Sequence, residues 1–238
     1  MNKEQFVSVL AEKGIQLAAE QINQFDLYFR LLVEWNEKMN LTAITEEGQV
    51  YTKHFYDSIT PAFYFPLHEV NTVVDIGGGA GFPSVPLKIC FPHLQISVID
   101  SLQKRIAFLQ HVSNELDLQN FNPIHGRAED LGQDGKYREA YDLSIARAVA
   151  RLNVLAEYCI PFVRPLGHFI AMKGADISVE LNEAKKAIKT LGAKTTKVET
   201  FQLMEEAGER NIVIIGKTEQ TPKAYPRKAG IPAKKPLL

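Results

Sequence analysis

Apolar residues in the first third of the chain recur at steps of three and four. Phe25, Tyr28, Phe29, Leu32, Trp35 and Met39 form a stripe about four turns long, which predicts a helix with one buried face. Asn40 follows the stripe and tolerates the left-handed conformation that ends a helix. A second helical segment is expected to carry Val50, His54 and Phe55 and to lead into Asp57-Ser58. From residue 71 the rhythm changes. Short apolar runs at 72–76, 95–100, 121–125, 141–146 and 168–173 read as strands, and helices are expected over 86–91, 102–117 and 177–191. Two further strand-like runs, 195–203 and 211–216, have no helix between them. Alternating strands and helices predict a mostly parallel sheet of seven strands with helices on both faces. The last two runs predict an antiparallel pair at one edge.

The 238 residues are 45% hydrophobic, enough for one large core, and the pattern divides them into a helical part over 1–70, an α/β part over 71–216 and a tail over 217–238. The net charge of −1 hides an asymmetry. Residues 1–70 hold 5 Lys/Arg against 10 Asp/Glu, whereas residues 217–238 hold Lys217, Lys223, Arg227, Lys228, Lys234 and Lys235 against Glu219 alone. A basic end on a near-neutral body suits a polyanionic partner, or is a solvated tail. Pro222, Pro226, Pro232 and Pro236 fall in the same stretch, which is expected to be an extended arm without helix, at best partly ordered when free, with Tyr225 open to stack on a base. Cys90 and Cys159 lie in apolar helical contexts and read as buried thiols. The six histidines have no ligand spacing, so no metal is expected. No apolar run reaches membrane-spanning length and the N-terminus has no signal-peptide core, so a cytoplasmic protein is expected.

The chemistry concentrates after the first strand, in Val73-Val74-Asp75-Ile76-Gly77-Gly78-Gly79-Ala80-Gly81-Phe82-Pro83. A strand, a glycine-rich turn and a helix at the carboxyl edge of a parallel sheet form a nucleotide site. A dinucleotide fingerprint needs glycine at its sixth position, and counting from Gly77 that position is Phe82. The spacing Asp75-x-Gly77-x-Gly79-x-Gly81 suits S-adenosylmethionine better, because a cofactor with a sulfonium and no pyrophosphate tolerates an acid before the turn. A degenerate dinucleotide site is the alternative. Asp100 closes the second strand, where a carboxylate can accept both ribose hydroxyls; it could instead cap the helix from Ser101. Gly126-Arg127-Ala128-Glu129-Asp130 follows the third strand and is expected to cross the adenine. Arg147 ends the fourth strand beside the cofactor, unless it only pairs with Glu129 or a helix.

Taken together, Asn40-Leu41-Thr42, His54-Phe55-Tyr56-Asp57-Ser58, Asp75 to Pro83, Arg127-Ala128-Glu129, Ala146-Arg147-Ala148-Val149-Ala150 and Tyr225-Pro226-Arg227-Lys228 resemble the bacterial glucose-inhibited division protein B family over nearly the whole chain. Members are small-subunit ribosomal RNA guanine-N7 methyltransferases with a Rossmann-like class I S-adenosylmethionine-dependent fold. The resemblance implies methylation of N7 of a guanine in the 530-loop region of 16S ribosomal RNA, on the RNA or the small subunit, by an enzyme expected to be a monomer and to hold no metal. Gly77 and Phe82 are then expected at the methionine end of the cofactor, Asp100 at the ribose, Ala128 and Glu129 at the adenine, and Arg147 completing the site. Two departures stand out. Gly78 replaces a threonine or other small residue and is expected to loosen the loop, and Ser84 stands where glycine is common. Guanine N7 carries a lone pair and no proton, so no general base is needed and catalysis is expected from positioning, with Arg147 the contributor. A class I methyltransferase acting on a small metabolite is the alternative function; the basic tail favours RNA.

Overall fold

The computed structural model describes residues 1–147, 149–204 and 207–238. Ala148, inside the Arg-Ala-Val-Ala run, lies outside the described residues. The chain opens with α1 (Lys3–Glu12), capped reciprocally by Asn2 and Gln5, and α2 (Ala19–Met39). Asn40 ends α2 at φ 49°, as its residue type predicts. The next helical stretch is composite: α3 (Glu47–Val50), a π-helical turn over Tyr51–Tyr56 and α4 (Asp57–Ile59). The sheet and its helices follow as β1 (Thr72–Ile76), α5 (Ser84–Cys90), β2 (Gln95–Asp100), α6 (Gln103–Glu115), β3 (Phe121–His125), α7 (Ala128–Leu131) and β4 (Tyr141–Arg147). Then come α8 (Leu152–Cys159), β5 (Val163–Lys173), α9 (Ser178–Thr190), β6 (Ala193–Gln202), β7 (Glu209–Lys217) and the short α10 (Ile231–Lys234).

The seven strands run in the order β3-β2-β1-β4-β5-β7-β6. All pairings from β3 to β5 are parallel, and β7 is antiparallel to both β5 and β6. The reversed strand is therefore inserted beside β5, and β6 forms the edge. The consequence is functional: the first residues of β7, Glu209 and Arg210, lie at the carboxyl edge of the parallel strands. Pro123 sits in β3, an edge strand, where a missing N–H is harmless.

Alternating residues of each strand face opposite layers. Val73, Ile96, Val98, Leu143, Ile145, Ile170 and Ile214 join the core made with α1, α2, α5 and α6. Val74, Ile76, Ile99, Ala146, Phe169, Ala171 and Val213 join the core made with α8 and α9. The helices of residues 1–70 thus share a core with the sheet. Phe6 and Phe25 meet edge to face at 4.9 Å, and Tyr28 stacks on Phe55 at 5.2 Å. The Tyr28 hydroxyl also donates to Ala80 O at 2.6 Å, which fixes the glycine turn from the helical side.

The last residues do not form the extended arm expected from their prolines. Lys217 is buried and its ammonium donates to Glu139 Oε1 at 2.7 Å. Arg138 donates to the carbonyls of Thr221 and Tyr225, and Gln133 to that of Pro226. Tyr225 packs against the α8–α9 core and is not free for a base. α10 forms despite Pro232, because proline in a helix's first turn gives up an N–H that has no partner there. Proline is compatible with this docking because it keeps its carbonyl: that of Pro222 accepts from Arg138 and that of Pro226 from Gln133.

Candidate functional site

At the carboxyl ends of the parallel strands lies an open crevice of about 400 Å³, lined by Ile76, Gly77, Ile99, Asp100, Ser101, Arg105, Gly126, Arg127, Ala128, Glu129, Val149 and Tyr158. It forms at the point where strand order reverses, with β1 followed outward by β2 and β3 on one side and by β4 on the other. The turn after β1 needs its glycines. Gly77 has φ +75°, and its N–H donates to Ile99 O at 2.7 Å. Gly81 has φ +96°, and a Cβ there would lie 2.8 Å from the Tyr28 hydroxyl. Gly78 corrects the expectation that an extra glycine only loosens the loop: a Cβ would meet Val98 Cγ1 at 2.2 Å and Asp75 Oδ2 at 3.1 Å. Val98 is fully buried, so the loop closes down on it.

Asp100 braces that turn. Its Oδ2 accepts from Gly79 N–H at 3.1 Å and from Arg105 Nη1 at 3.3 Å, and its Oδ1 accepts from Leu102 N–H at 2.9 Å. It makes no bond to the first-turn amides of α6, whose cap residue is Leu102, so it does not act as the helix cap. Glu129 is buried at the start of α7, and its Oε1 accepts from Gly230 N–H at 2.8 Å.

Beneath the turn, Asp75 is fully buried and neither carboxyl oxygen has a hydrogen-bond partner among the described residues. Burial pushes its pKa up to about 7; the Ser84 hydroxyl and N–H, near the carboxyl but outside hydrogen-bond geometry, and the charge of Arg147 pull it only part of the way back. Ser84, a serine where the resemblance expects glycine, is buried here as the first residue of α5.

The structure separates the expected site residues into two neighbouring pockets. Gly77, Asp100, Ala128 and Glu129 line the crevice. Arg147 instead lines a second hollow of about 380 Å³, with Ile44, Lys53, His54, Asp57, Met172, Lys173, Gly174, Arg210, Asn211 and Ile212. Arg147 does not pair with Glu129. Its Nη1 donates to Asp57 Oδ2 at 3.0 Å and to Lys53 O at 3.3 Å. The same carboxylate accepts from Arg210 Nε at 3.1 Å, so one Asp57 holds two guanidiniums. Phe82 is part of the wall rather than of the crevice lining: it stacks on His54 at 4.4 Å, and the Arg147 guanidinium lies 4.9 Å from its ring. Burial, with the Arg147 charge beside it, holds the His54 imidazole down to about 4, neutral near pH 7. His54 Nε2 lies 2.8 Å from Thr42 Oγ1, so the two N-terminal segments meet in this pocket.

Sequence reasoning missed Arg105 and Tyr158 in the crevice and Lys53 and Arg210 in the second pocket. Arg210 carried a usable signal. It is the cation that opens the last apolar run, and a strand antiparallel to its neighbours starts at their carboxyl edge. Lys53 carried none, because the π-helical turn that sets its direction leaves no mark in the pattern.

Residues 21–213 match the family described as rRNA small subunit methyltransferase G. A ribosomal RNA small subunit methyltransferase G of Brevibacillus brevis is 72% identical over 238 residues, all of both chains. That of Bacillus subtilis is 55% identical over 237 residues, covering 100% of this chain and 99% of the relative. Among solved structures, the mitomycin 7-O-methyltransferase MmcR superposes with a TM-score of 0.58 at 13% identity, over 80% of this chain and 60% of that one. The M. jannaschii TYW2 in complex with AdoMet gives 0.50 at 20% identity, over 64% and 70%. These two likenesses show the class I methyltransferase fold.

Proposed function

Because this chain belongs to the rRNA small subunit methyltransferase G family, we propose that it methylates N7 of a guanine in 16S ribosomal RNA, with the two pockets dividing the work. It is an S-adenosylmethionine-dependent rRNA methyltransferase. The residues of the crevice fit that cofactor. Ile76, Ile99 and Ala128 give a nucleoside apolar walls, and Asp100 and Glu129 give it two acceptors. The unpartnered Asp75 puts a carboxyl under the turn, suited to a cationic group above it. When bound, the cofactor supplies a methyl carbon activated by a sulfonium, which a lone pair such as that of N7 can take without a base.

In this reading Asp100 accepts the ribose hydroxyls while holding Gly79 in place. Ala128 and Glu129 border the adenine, and Gly77 lies where a side chain would intrude. The second pocket receives the guanine. Arg147 and Arg210 donate toward it from one side, and Asp57 fixes both in direction. Two guanidiniums on one carboxylate leave a net positive charge, which draws the RNA backbone as well. His54 stays neutral and stacks on Phe82, so it adds shape without charge. Nothing in this arrangement moves a proton, and rate enhancement comes from orientation, worth effective molarities of about 10⁵ M or more. The N7 edge lies in a groove that is deep and narrow in helical RNA, so the target base is presented from an open structure. We further propose a cytoplasmic monomer acting on the RNA or the assembled small subunit.

The adjacency of a nucleoside-shaped crevice and an arginine-lined pocket at one sheet edge carries this reading. Mass mapping of 16S RNA from cells with and without the protein tests it. One guanine should lose a base methyl group in the null strain, and Arg147→Ala should fail to restore it. An unchanged methylation map refutes the proposal.

A further inference from the structure

The last dozen residues fasten onto the wall of the crevice. Arg227 grips Glu157 of α8: its N–H donates to Oε1 at 2.8 Å, Nε to Oε1 at 2.9 Å and Nη2 to Oε2 at 2.6 Å. The Glu157 side chain is 1% exposed and that of Arg227 24%, so the carboxylate is buried while the guanidinium still touches water. Three residues later Gly230 donates its backbone N–H to Glu129, which lines the crevice. Gly230 can do so because it sits at φ +83°, a conformation that favours glycine. Pro226 packs on Gly132 just after α7, so closely that a Cβ at Gly132 would stand 2.9 Å from Pro226 Cγ. α7 supplies Ala128 and Glu129 to the crevice and α8 supplies Tyr158, the neighbour of Glu157.

We infer that the C-terminal segment from Pro226 to Lys234 is a positioning part of the cofactor site. Gly230 fixes the direction of the Glu129 carboxylate, and Arg227 clamps α8 against α7 so that the adenine-side wall is formed before the cofactor arrives. The inference rests on the crevice being the cofactor site. A preformed wall raises affinity by removing the ordering that binding would otherwise require. Coupling is reciprocal, so the cofactor must tighten the segment by the factor by which the segment tightens the cofactor.

The experiment uses S-adenosylhomocysteine as the probe. In calorimetric titration, a chain lacking residues 229–238 keeps the Arg227–Glu157 pair but loses the Gly230 donor. Its dissociation constant should rise about tenfold over that of the full chain. In the full chain, saturating S-adenosylhomocysteine should slow amide exchange across 227–234 by up to the same factor, a readout that needs no variant to fold. Equal affinities in the two chains, or exchange across 227–234 indifferent to the probe while the crevice strands respond, overturn the inference alone. A full chain that does not bind S-adenosylhomocysteine overturns the cofactor reading and the inference with it.

Discussion

Asp75 is a carboxyl group placed where its charge is unwelcome. Its folded pKa of about 7 stands above the value of 3.8 for a free aspartate. Below about pH 4 both folded and unfolded chains hold the proton and the residue is neutral toward stability. Between about 4 and 7 the unfolded chain releases it first, so stability falls as pH rises, and the loss is complete above about 7. Three units at about 1.36 kcal/mol each give a penalty on the order of 4 kcal/mol. Asp75→Asn removes the titration. Its stability relative to the parent should therefore improve by roughly 2–4 kcal/mol between pH 4.5 and pH 8, read by urea unfolding at both. A difference between the two proteins that does not change with pH would show that Asp75 ionises in the folded chain as it does in water. His54 tilts stability the opposite way: its imidazole is held down to about 4, so the stability it contributes is present above about 6.5 and drains away as pH falls toward 4.

At the scale of elements, the glycine turn and the strand beside it were made for each other. Val98 fills the room that a side chain at position 78 would take. Gly78→Ala should cost about 1–3 kcal/mol through overpacking against a buried strand. Val98→Ala, which opens that space, should cost less in the Gly78→Ala background than in the parent, and a double-mutant cycle in thermal or urea unfolding measures the difference. Strict additivity would mean that the turn moves aside freely. The residue spacing of this turn was legible in the sequence, since Gly77, Gly79 and Gly81 all take positive φ. Gly78 was misread because its reason lies on another strand. The tail was misread in the same way: its prolines were read as forbidding a helix, yet α10 forms around Pro232, and they said nothing of Glu139, Glu157 and Glu129, the acids on which it docks.

Across the whole molecule, charge asymmetry turns out smaller in use than in count. Of the six cations after residue 216, Lys217 and Arg227 are paired with Glu139 and Glu157, which leaves Lys223, Lys228, Lys234 and Lys235 exposed. These four are available to phosphates. Each contact contributes about 0.7 to the slope of log affinity against log salt on single-stranded RNA, so converting all four to glutamine should flatten that slope by roughly 2–3. Affinity for S-adenosylhomocysteine should stay unchanged, because the changes leave in place Arg227 and the Gly230 N–H, the groups by which this segment holds the crevice wall. A filter-binding series over salt concentration decides it, and an unaltered slope would leave RNA attraction to the second pocket.

What the sequence determined by itself were the features written in neighbouring residues. Period and punctuation yielded the seven strands, the α2 stop at Asn40 and the glycine turn, because backbone conformation and side-chain alternation are local matters. The carboxylate at Asp100 and the Ala128-Glu129 pair were legible for the same reason, each standing at a strand end that the alternation had already located. The tertiary structure alone decided which distant groups share a carboxylate or a space. It set Arg147 on Asp57 rather than Glu129, brought Arg210 to the same acid by reversing one strand, aimed the Lys53 carbonyl at Arg147 from a π-helical turn and folded the basic tail against the crevice wall. Those outcomes depend on which buried charge finds a partner once the layers have packed. Partners separated by 90 to 153 positions leave no period in a sequence.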